Sequence, residues 1–286
     1  MGFTQLKRGL RMVIRSLIVL QHNPKLLVFP LIAGVSSLVF LALLLGSTFG
    51  VIVGVEGIDA FQAQSGLEAT IGDNPVIVSV ALFLGYLGTT FVSVFFTGAL
   101  VVESRYAFAN EPVKLQRGMA HAWAARYKLF AWAVIAATVG VIIDAIESSN
   151  TPISKVFAVV FGAIWTVMTF FIVPIAVLAP ECSLRGMFTR SGRTFRETVG
   201  ETVVSLGAPR VIGVGIFFLA TGLALAVSEL TTNTLVYAPI LVLGGVLSQL
   251  VSTTLRGILK TMVYVYATEG KTPAESDASD LDALLS

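Results

Sequence analysis

The sequence predicts an all-α fold: a polytopic transmembrane helical bundle of six spans, with amphipathic helices lying in the cytoplasmic interface. Three observations carry this. Leu26 to Val55 is a run of thirty residues, between Lys25 and Glu56, without one ionisable side chain. A hydrocarbon core about 30 Å thick needs roughly 20 apolar residues to cross as a helix, so the run is long enough to span. Across the chain, hydrophobic residues make up 55% and charged residues 13%, with a mean hydropathy of +0.86. Ordinary soluble domains are about 25% charged. Finally, the cations are divided very unevenly among the connections between apolar runs.

Taken in order, residues 1–22 hold Lys7, Arg8, Arg11, Arg15 and His22 and no acid. Phe3, Leu6, Leu10, Val13, Leu17 and Leu20 recur at three- and four-residue steps. That pattern predicts an interfacial helix with its basic face turned to lipid phosphates. The first apolar run is about twice the usual signal-peptide core, so it reads as a span and not as a cleavable signal. Asn23-Pro24 ends the first helix and opens the span, with Asn as cap and Pro at the first helical position. Spans are expected at about 26–55, 76–102, 127–146, 156–179, 210–228 and 235–256, and Asn74-Pro75 repeats the opening signal before the second. The third is short in uncharged residues, and Lys128 snorkels to the interface at its end.

Two connections are expected to be helical as well. Glu111-Pro112 opens a helix over 113–127, with Leu115, Met119, Ala122, Trp123 and Arg126 marking a face. The stretch 183–204 sets Leu184, Met187, Phe188, Phe195 and Val199 against Arg185, Arg190, Arg193 and Arg196. Residues 1–268 therefore form the membrane domain. Residues 269–286 carry Glu269, Glu275, Asp277, Asp280 and Asp282 against Lys271, which predicts an acidic disordered tail. Leu281, Leu284 and Leu285 offer that tail a one-turn docking patch for a protein partner.

Orientation follows from the basic residues. Eighteen Lys/Arg fall in the N-terminal arm, the 103–128 and 180–210 connections and the segment after the sixth span. The other three connections hold only Lys155, with Glu56, Asp59, Glu68, Asp73, Asp144, Glu147 and Glu229. Both termini are thus expected on the cytoplasmic side of an inner or plasma membrane. Anionic headgroup contacts are expected from Arg8, Arg11, Arg15, Arg117, Arg126, Lys128, Arg185, Arg190, Arg193 and Arg196. Apolar faces and adjoining spans make phospholipid, and not nucleic acid, the partner of this charge.

Small residues permit close packing where apolar burial gives no drive. Gly46, Gly50 and Gly54 form a four-step ridge on span one, and Gly85, Thr89 and Ser93 part of another on span two, so ridge-to-ridge packing is expected. Pro174 releases the Phe170 carbonyl and kinks span four, with Thr166 or Thr169 placed to satisfy the freed backbone. Glu103 and Arg105 read as an interfacial pair. Four Arg-Gly echoes recur, at Arg8-Gly9, Arg117-Gly118, Arg185-Gly186 and Arg256-Gly257. A repeated unit of interfacial helix plus hairpin explains the first three, and coincidence on similar helices explains them equally.

Catalytic signals are lacking. His22 and His121 are far apart, Cys182 has no activating His beside it, and the hydrolase, zinc-protease, P-loop and EF-hand spacings do not occur. No cofactor or metal is expected. No Asp, Glu, Lys, Arg or His lies at the centre of a span, which argues against ion-coupled transport.

Phe29-Pro30-Leu31, Phe95-Phe96-Thr97-Gly98-Ala99-Leu100 and Trp132-Ala133 through Gly140 follow one another along the chain. Trp165 with Thr169-Phe170-Phe171 and Val173-Pro174 comes next, then Arg190-Ser191 with Phe195, and Tyr264-Val265-Tyr266-Ala267 before Gly270. This succession resembles a family of six-span prokaryotic integral membrane proteins, the domain of unknown function numbered 6159. The resemblance covers all but the acidic tail and implies a helical bundle with cytoplasmic interfacial helices. It implies no catalytic residues. The function expected is that of a non-enzymatic membrane protein organising lipid or protein partners at the cytoplasmic face. The alternative is a permease or channel for a small or lipid-like solute, running along span two beside Pro174.

Overall fold

The computed structural model describes residues 3–56, 75–149, 151–231 and 234–269, without the side chains of 3–10, 53, 55, 56, 199–206, 230 and 235. Those residues are almost wholly helical and hold no strand. In order they form α1 (Phe3–His22), a 3-10 turn (Pro24–Leu27), α2 (Val28–Glu56), α3 (Pro75–Phe108), α4 (Leu115–Ala124) and α5 (Arg126–Glu147). There follow α6 (Pro152–Thr169), α7 (Ile172–Leu178), α8 (Leu184–Glu197), α9 (Val199–Leu230) and α10 (Thr234–Glu269). Six helical stretches are long and apolar enough to cross a membrane: Pro24–Ile52, Pro75–Phe108, Arg126–Glu147, Pro152–Leu178, Gly207–Glu229 and Val236–Glu269. Their surfaces suit lipid. Leu38 is 69% exposed and Leu219 77% exposed, which water would penalise and hydrocarbon does not. The protein is a multi-pass membrane protein.

The chain forms two compact units. One comprises Met1–Leu31, Phe96–Ala125 and Trp165–Ser286, the other Ile32–Phe95 and Arg126–Ile164. The second unit is held by aromatic rings seated on glycines. The Phe40 ring of α2 fills the space beside Gly88 of α3, and Tyr86 of α3 that beside Gly140 of α5. Leu41 and Leu44 pack on Gly85, and Phe91 meets Phe130 edge-on at 5.5 Å. Without a Cβ, each glycine lets a large side chain reach the neighbouring backbone.

The first unit contains the tightly packed core. Phe29, Leu100, Phe171, Ile172, Ile175, Met187, Leu255, Ile258, Leu259 and Met262 are fully buried there. Its closest helix pair is α9 with α10. Ser248 Oγ donates to the Gly213 carbonyl at 2.7 Å, Gly213 abuts Ser252, and Gly244 abuts Ala220. The polar bond and the small side chains act together, as expected where apolar area alone drives nothing. By length at 1.5 Å per residue, α10 is about 54 Å long, well over the roughly 30 Å of hydrocarbon. It therefore carries its C-terminal turns beyond the bilayer's apolar layer.

Several sequence expectations need correction. Gly46, Gly50 and Gly54 are exposed, and a Cβ built on any of them meets nothing within 4 Å. The face of α2 turned to α3 is instead the one with Leu41 and Leu44, because these fill the space that Gly85 leaves. Ser93 is exposed too. Asn23 makes no cap bond to the following turn; its amide donates back to the Val19 carbonyl at 3.3 Å, closing α1. The α1 face with Met12, Val13, Ser16 and Leu20 is buried against α9 and α10, so the stripe expected to lie on the membrane is a protein contact. On α4 the buried residues are Gly118 and Ala122, while Met119 and Trp123 are exposed. The helix expected over 183–204 stops at Glu197, and α9 starts at Val199 and runs through Pro209 into the fifth apolar stretch. The side chains of Phe3, Leu6, Arg8 and Leu10, together with Asn74 and the tail beyond Glu269, lie outside what the structure describes.

These contacts separate two glycines that look alike in the sequence. Gly50→Leu should leave thermal stability in detergent within about 0.5 kcal/mol of the parent. Gly244→Leu should lower it by about 1–3 kcal/mol, because the added carbons collide with the Ala220 Cβ of the facing helix. Paired melting curves of the two variants are the check.

Candidate anion-binding site

Two groups of charged residues lie in the first unit, and they are built oppositely. One is saturated. Glu103, near the end of α3, is 0% exposed. Asn110 adopts a left-handed backbone (φ 57°) just beyond α3, and the Glu111 N–H closes the turn on the Tyr106 carbonyl at 3.1 Å. Asparagine tolerates that conformation better than most residues. The turn sends the chain back along α3, so that the Lys114 N–H donates to Glu103 Oε2 at 2.7 Å. One helical turn on, Arg117 closes a fork on the same carboxylate, Nε to Oε1 at 2.8 Å and Nη2 to Oε2 at 3.0 Å. Arg117 also bonds Glu111 at 3.0 Å and lies 3.4 Å over the Tyr106 ring. The bond to Glu103 raises the Arg117 pKa above the ordinary arginine value, against the opposing effect of burial. Planar bidentate pairing is the strong form of this interaction.

Gly118 follows from the same geometry. A Cβ there would lie 2.8 Å from Glu103 Cγ and 2.9 Å from the Ala99 carbonyl oxygen. Arg117 reaches its partner only because the next residue has no side chain. Glu103 and Arg105 do not pair with one another. They leave α3 on different sides, and Arg105 bonds Glu269 at 2.7 Å.

The other group is unsatisfied. Arg256 of α10 has a buried Nε without a hydrogen-bond partner among the described residues, and its Nη2 is 3.4 Å from Ser252 Oγ. Arg210 of α9 lies within electrostatic reach of Arg256, and so does Lys260 one turn along α10. Lys260 Nζ stands 4.7 Å over the Phe170 ring, and the Arg190 guanidinium of α8 is 5.9 Å from the Tyr264 ring. Among the described residues no carboxylate is within 4.0 Å of any of these four cations. The rings give partial compensation. Only an anion would complete the neutralisation.

The break in the fourth span borders this group. α6 ends at Thr169 and α7 begins at Ile172, with Pro174 buried in the first turn of α7. Proline cannot donate to the carbonyl four residues back, which here is that of Phe170. Thr169 Oγ1 bonds the Trp165 carbonyl at 2.7 Å. The Phe171 N–H is taken by Ser191 Oγ of α8 at 3.1 Å, with both groups buried. Tyr264 packs 6.1 Å from Phe171, which sets α8, α10 and the break around one aromatic cluster.

Of the expected headgroup contacts, Arg11, Arg185, Arg193 and Arg196 are exposed and Arg15 and Arg190 half-buried in the first unit. Arg117 is committed to Glu103. Arg126 and Lys128 belong to the second unit, and Arg126 lies 4.4 Å over Tyr127. Gly85 and Thr89 line an apolar cleft of about 660 Å³ with Leu41, Leu44, Thr48 and Ile52 in the second unit. A second cleft there, about 710 Å³, is lined by Ser79, Tyr86, Asp144 and Glu147 among others. Neither lining includes Ser93 or Pro174. The hydroxyls of Thr89, Thr169 and Thr221 bond carbonyls of their own helices. Sequence reasoning missed Arg256 and Lys260 as a site, although their four-residue spacing directly after an uncharged span was visible. It missed the small-residue step Gly244, Ser248, Ser252 as well.

The Arg-Gly echoes do unlike things. Gly118 and Gly257 let α4 and α10 close on α3, at Ala99 and Leu100, whereas Gly186 offers its N–H to the Ser183 cap at 3.2 Å. Their surroundings give the internal repeat no support. Two substitutions test the saturated group and the break. Glu103→Ala should cost about 1–3 kcal/mol by removing the fork on Arg117 and the acceptor of the Lys114 N–H. Ser191→Ala should cost about 1–3 kcal/mol by stranding the Phe171 donor. Denaturation in detergent reads both, and losses below about 0.5 kcal/mol would contradict these assignments.

No curated protein and no solved structure matches the chain. Residues 76–274, from the start of α3 to just past the end of α10, match the model of a family of unknown function. That match takes in Glu103, Arg117, the broken fourth span, Arg190, Arg256 and Lys260. The chain belongs to the Family of unknown function (DUF6159).

Proposed function

We propose that the protein is a non-enzymatic organiser of anionic phospholipid at the cytoplasmic face of the cell membrane, with both chain ends on that face. The observation that carries this reading is the unequal treatment of charge. Apart from Arg126, Lys128 and Lys155, every Lys and Arg belongs to the first unit. Among these, Arg105 is paired with Glu269 and Arg117 with Glu103 and Glu111, whereas Arg190, Arg210, Arg256 and Lys260 have no carboxylate within 4.0 Å among the described residues. The remaining cations of this unit include those of α8 and of the ends of α9 and α10, next to residues of membrane-crossing length. Each such cation near an anionic surface is worth about 1 kcal/mol of attraction. The eighteen-to-one division of Lys/Arg among the connections supports the orientation.

A permease for a lipid-like solute is the second reading, favoured by the apolar cleft beside Thr89. Flux in proteoliposomes that Thr89→Trp abolishes would select it over the organiser.

Lipid composition tests the first reading. Protein extracted in native nanodiscs should be enriched in anionic phospholipid over the bulk membrane. Replacing Arg185, Arg193 and Arg196 with Gln should reduce the enrichment by about two-fold or more. Equal lipid composition for both proteins would defeat the reading. Orientation is read separately: an impermeant maleimide should label Cys182 only from the inside, and a C-terminal alkaline phosphatase fusion should be inactive.

A further inference from the structure

We propose that Arg256 and Lys260 of α10, with Arg190 of α8 across Tyr264, bind the phosphate group of one anionic phospholipid headgroup. The inference rests on the organiser reading and names a specific site within it. Three observations point to an anion. Among the described residues the buried Arg256 Nε–H has no acceptor, and Arg256 Nη2 reaches Ser252 only at 3.4 Å. Arg256 lies within electrostatic reach of both Arg210 and Lys260, and none of the three has a carboxylate within 4.0 Å among the described residues. Lys260 and Arg190 are steered by the faces of Phe170 and Tyr264, which orient a cation without neutralising it.

Desolvated like charges cost several kcal/mol unless an oppositely charged partner completes the set. Elsewhere in the same unit the chain supplies such a partner, Glu103 for Arg117. Here it supplies none. A guanidinium fork beside a lysine point charge suits a phosphate oxyanion, which accepts several donors at once.

The position selects a lipid as carrier. The uncharged run of the sixth span ends at Leu255, so Arg256 and Lys260 occupy the first two turns past about 20 apolar residues. That is headgroup level. Ser252, one turn inward, is buried against Gly213, so the donors face the end of a span and not its middle.

The test uses the full chain, delipidated in detergent, titrated with phosphatidylglycerol and read by native mass spectrometry. The wild type should hold one phosphatidylglycerol in preference to phosphatidylcholine. Arg256→Gln with Lys260→Gln should weaken that lipid by roughly tenfold or more, while its melting midpoint without lipid stays level or rises as repulsion is relieved. Unchanged affinity in a folded double variant overturns the site. If Arg185, Arg193 and Arg196 variants then still lose bulk enrichment, the organiser reading survives that failure. A parallel titration with inorganic phosphate distinguishes the carriers: protection by phosphate at the same residues keeps the oxyanion site and makes its source soluble. Should the double variant not fold, acylation of wild-type Lys260 decides. Protection by phosphatidylglycerol at Lys260 and not at Lys155 supports the site, and equal reactivity overturns it.

Discussion

Hydrocarbon removes the force that normally packs a protein. A leucine facing lipid tails gains nothing by turning inward, so helices there associate only through shape, hydrogen bonds and charge kept from water. The whole structure answers to this constraint. Large side chains stay outward along the spans, as at Leu38 and Leu219. Association falls to a few close approaches: Gly88 under Phe40, Gly140 under Tyr86, Gly213 against Ser248 and Ser252. The continuous core lies where long helices extend and short helices fold back upon them, around Met187, Ile175, Leu255 and Met262.

The same constraint governs the charges. A carboxylate as buried as Glu103 survives because three donors from one returning segment close on it. That segment is short, begins with a left-handed Asn110 and needs Gly118 to come close enough. The arrangement fixes α4 on α3 and consumes Arg117 as a structural residue. Arg256 and Lys260 are placed as carefully, yet their geometry is completed by nothing within the described chain. Saturation marks the first group as scaffold, and its lack is what the proposed phosphate site rests on.

Much of the fold was legible in the sequence, because the rules for spanning a bilayer are strict. Thirty uncharged residues after Lys25 admit one reading, and Pro24 and Pro75 open helices as their fixed φ suggests. What could not be read was which face of each helix meets which neighbour. The Gly46, Gly50 and Gly54 ridge has the same pattern as Gly244, Ser248 and Ser252, but only the second meets another helix. Periodicity records that a small-residue face exists, not what stands opposite. Amphipathic stripes carry a similar ambiguity: Val13 and Leu20 are buried against protein, though the same spacing also suits a lipid surface. The pairing of Glu103 with Arg117, fourteen residues on, depends on a reversal that no local signal before Asn110 announces.

The bond from the Phe171 N–H to Ser191 sets an order of biogenesis. Twenty residues separate the two ends of that bond. When the fourth hydrophobic segment leaves the translocon, its interrupted backbone has a bare amide, and the hydroxyl that will quench it is still inside the ribosome. Maturation of this span is therefore post-insertional, waiting on the next amphipathic helix to arrive from the aqueous side. A nascent chain stalled before Ser191 would hold an incompletely formed hairpin, whatever the quality of its apolar sequence.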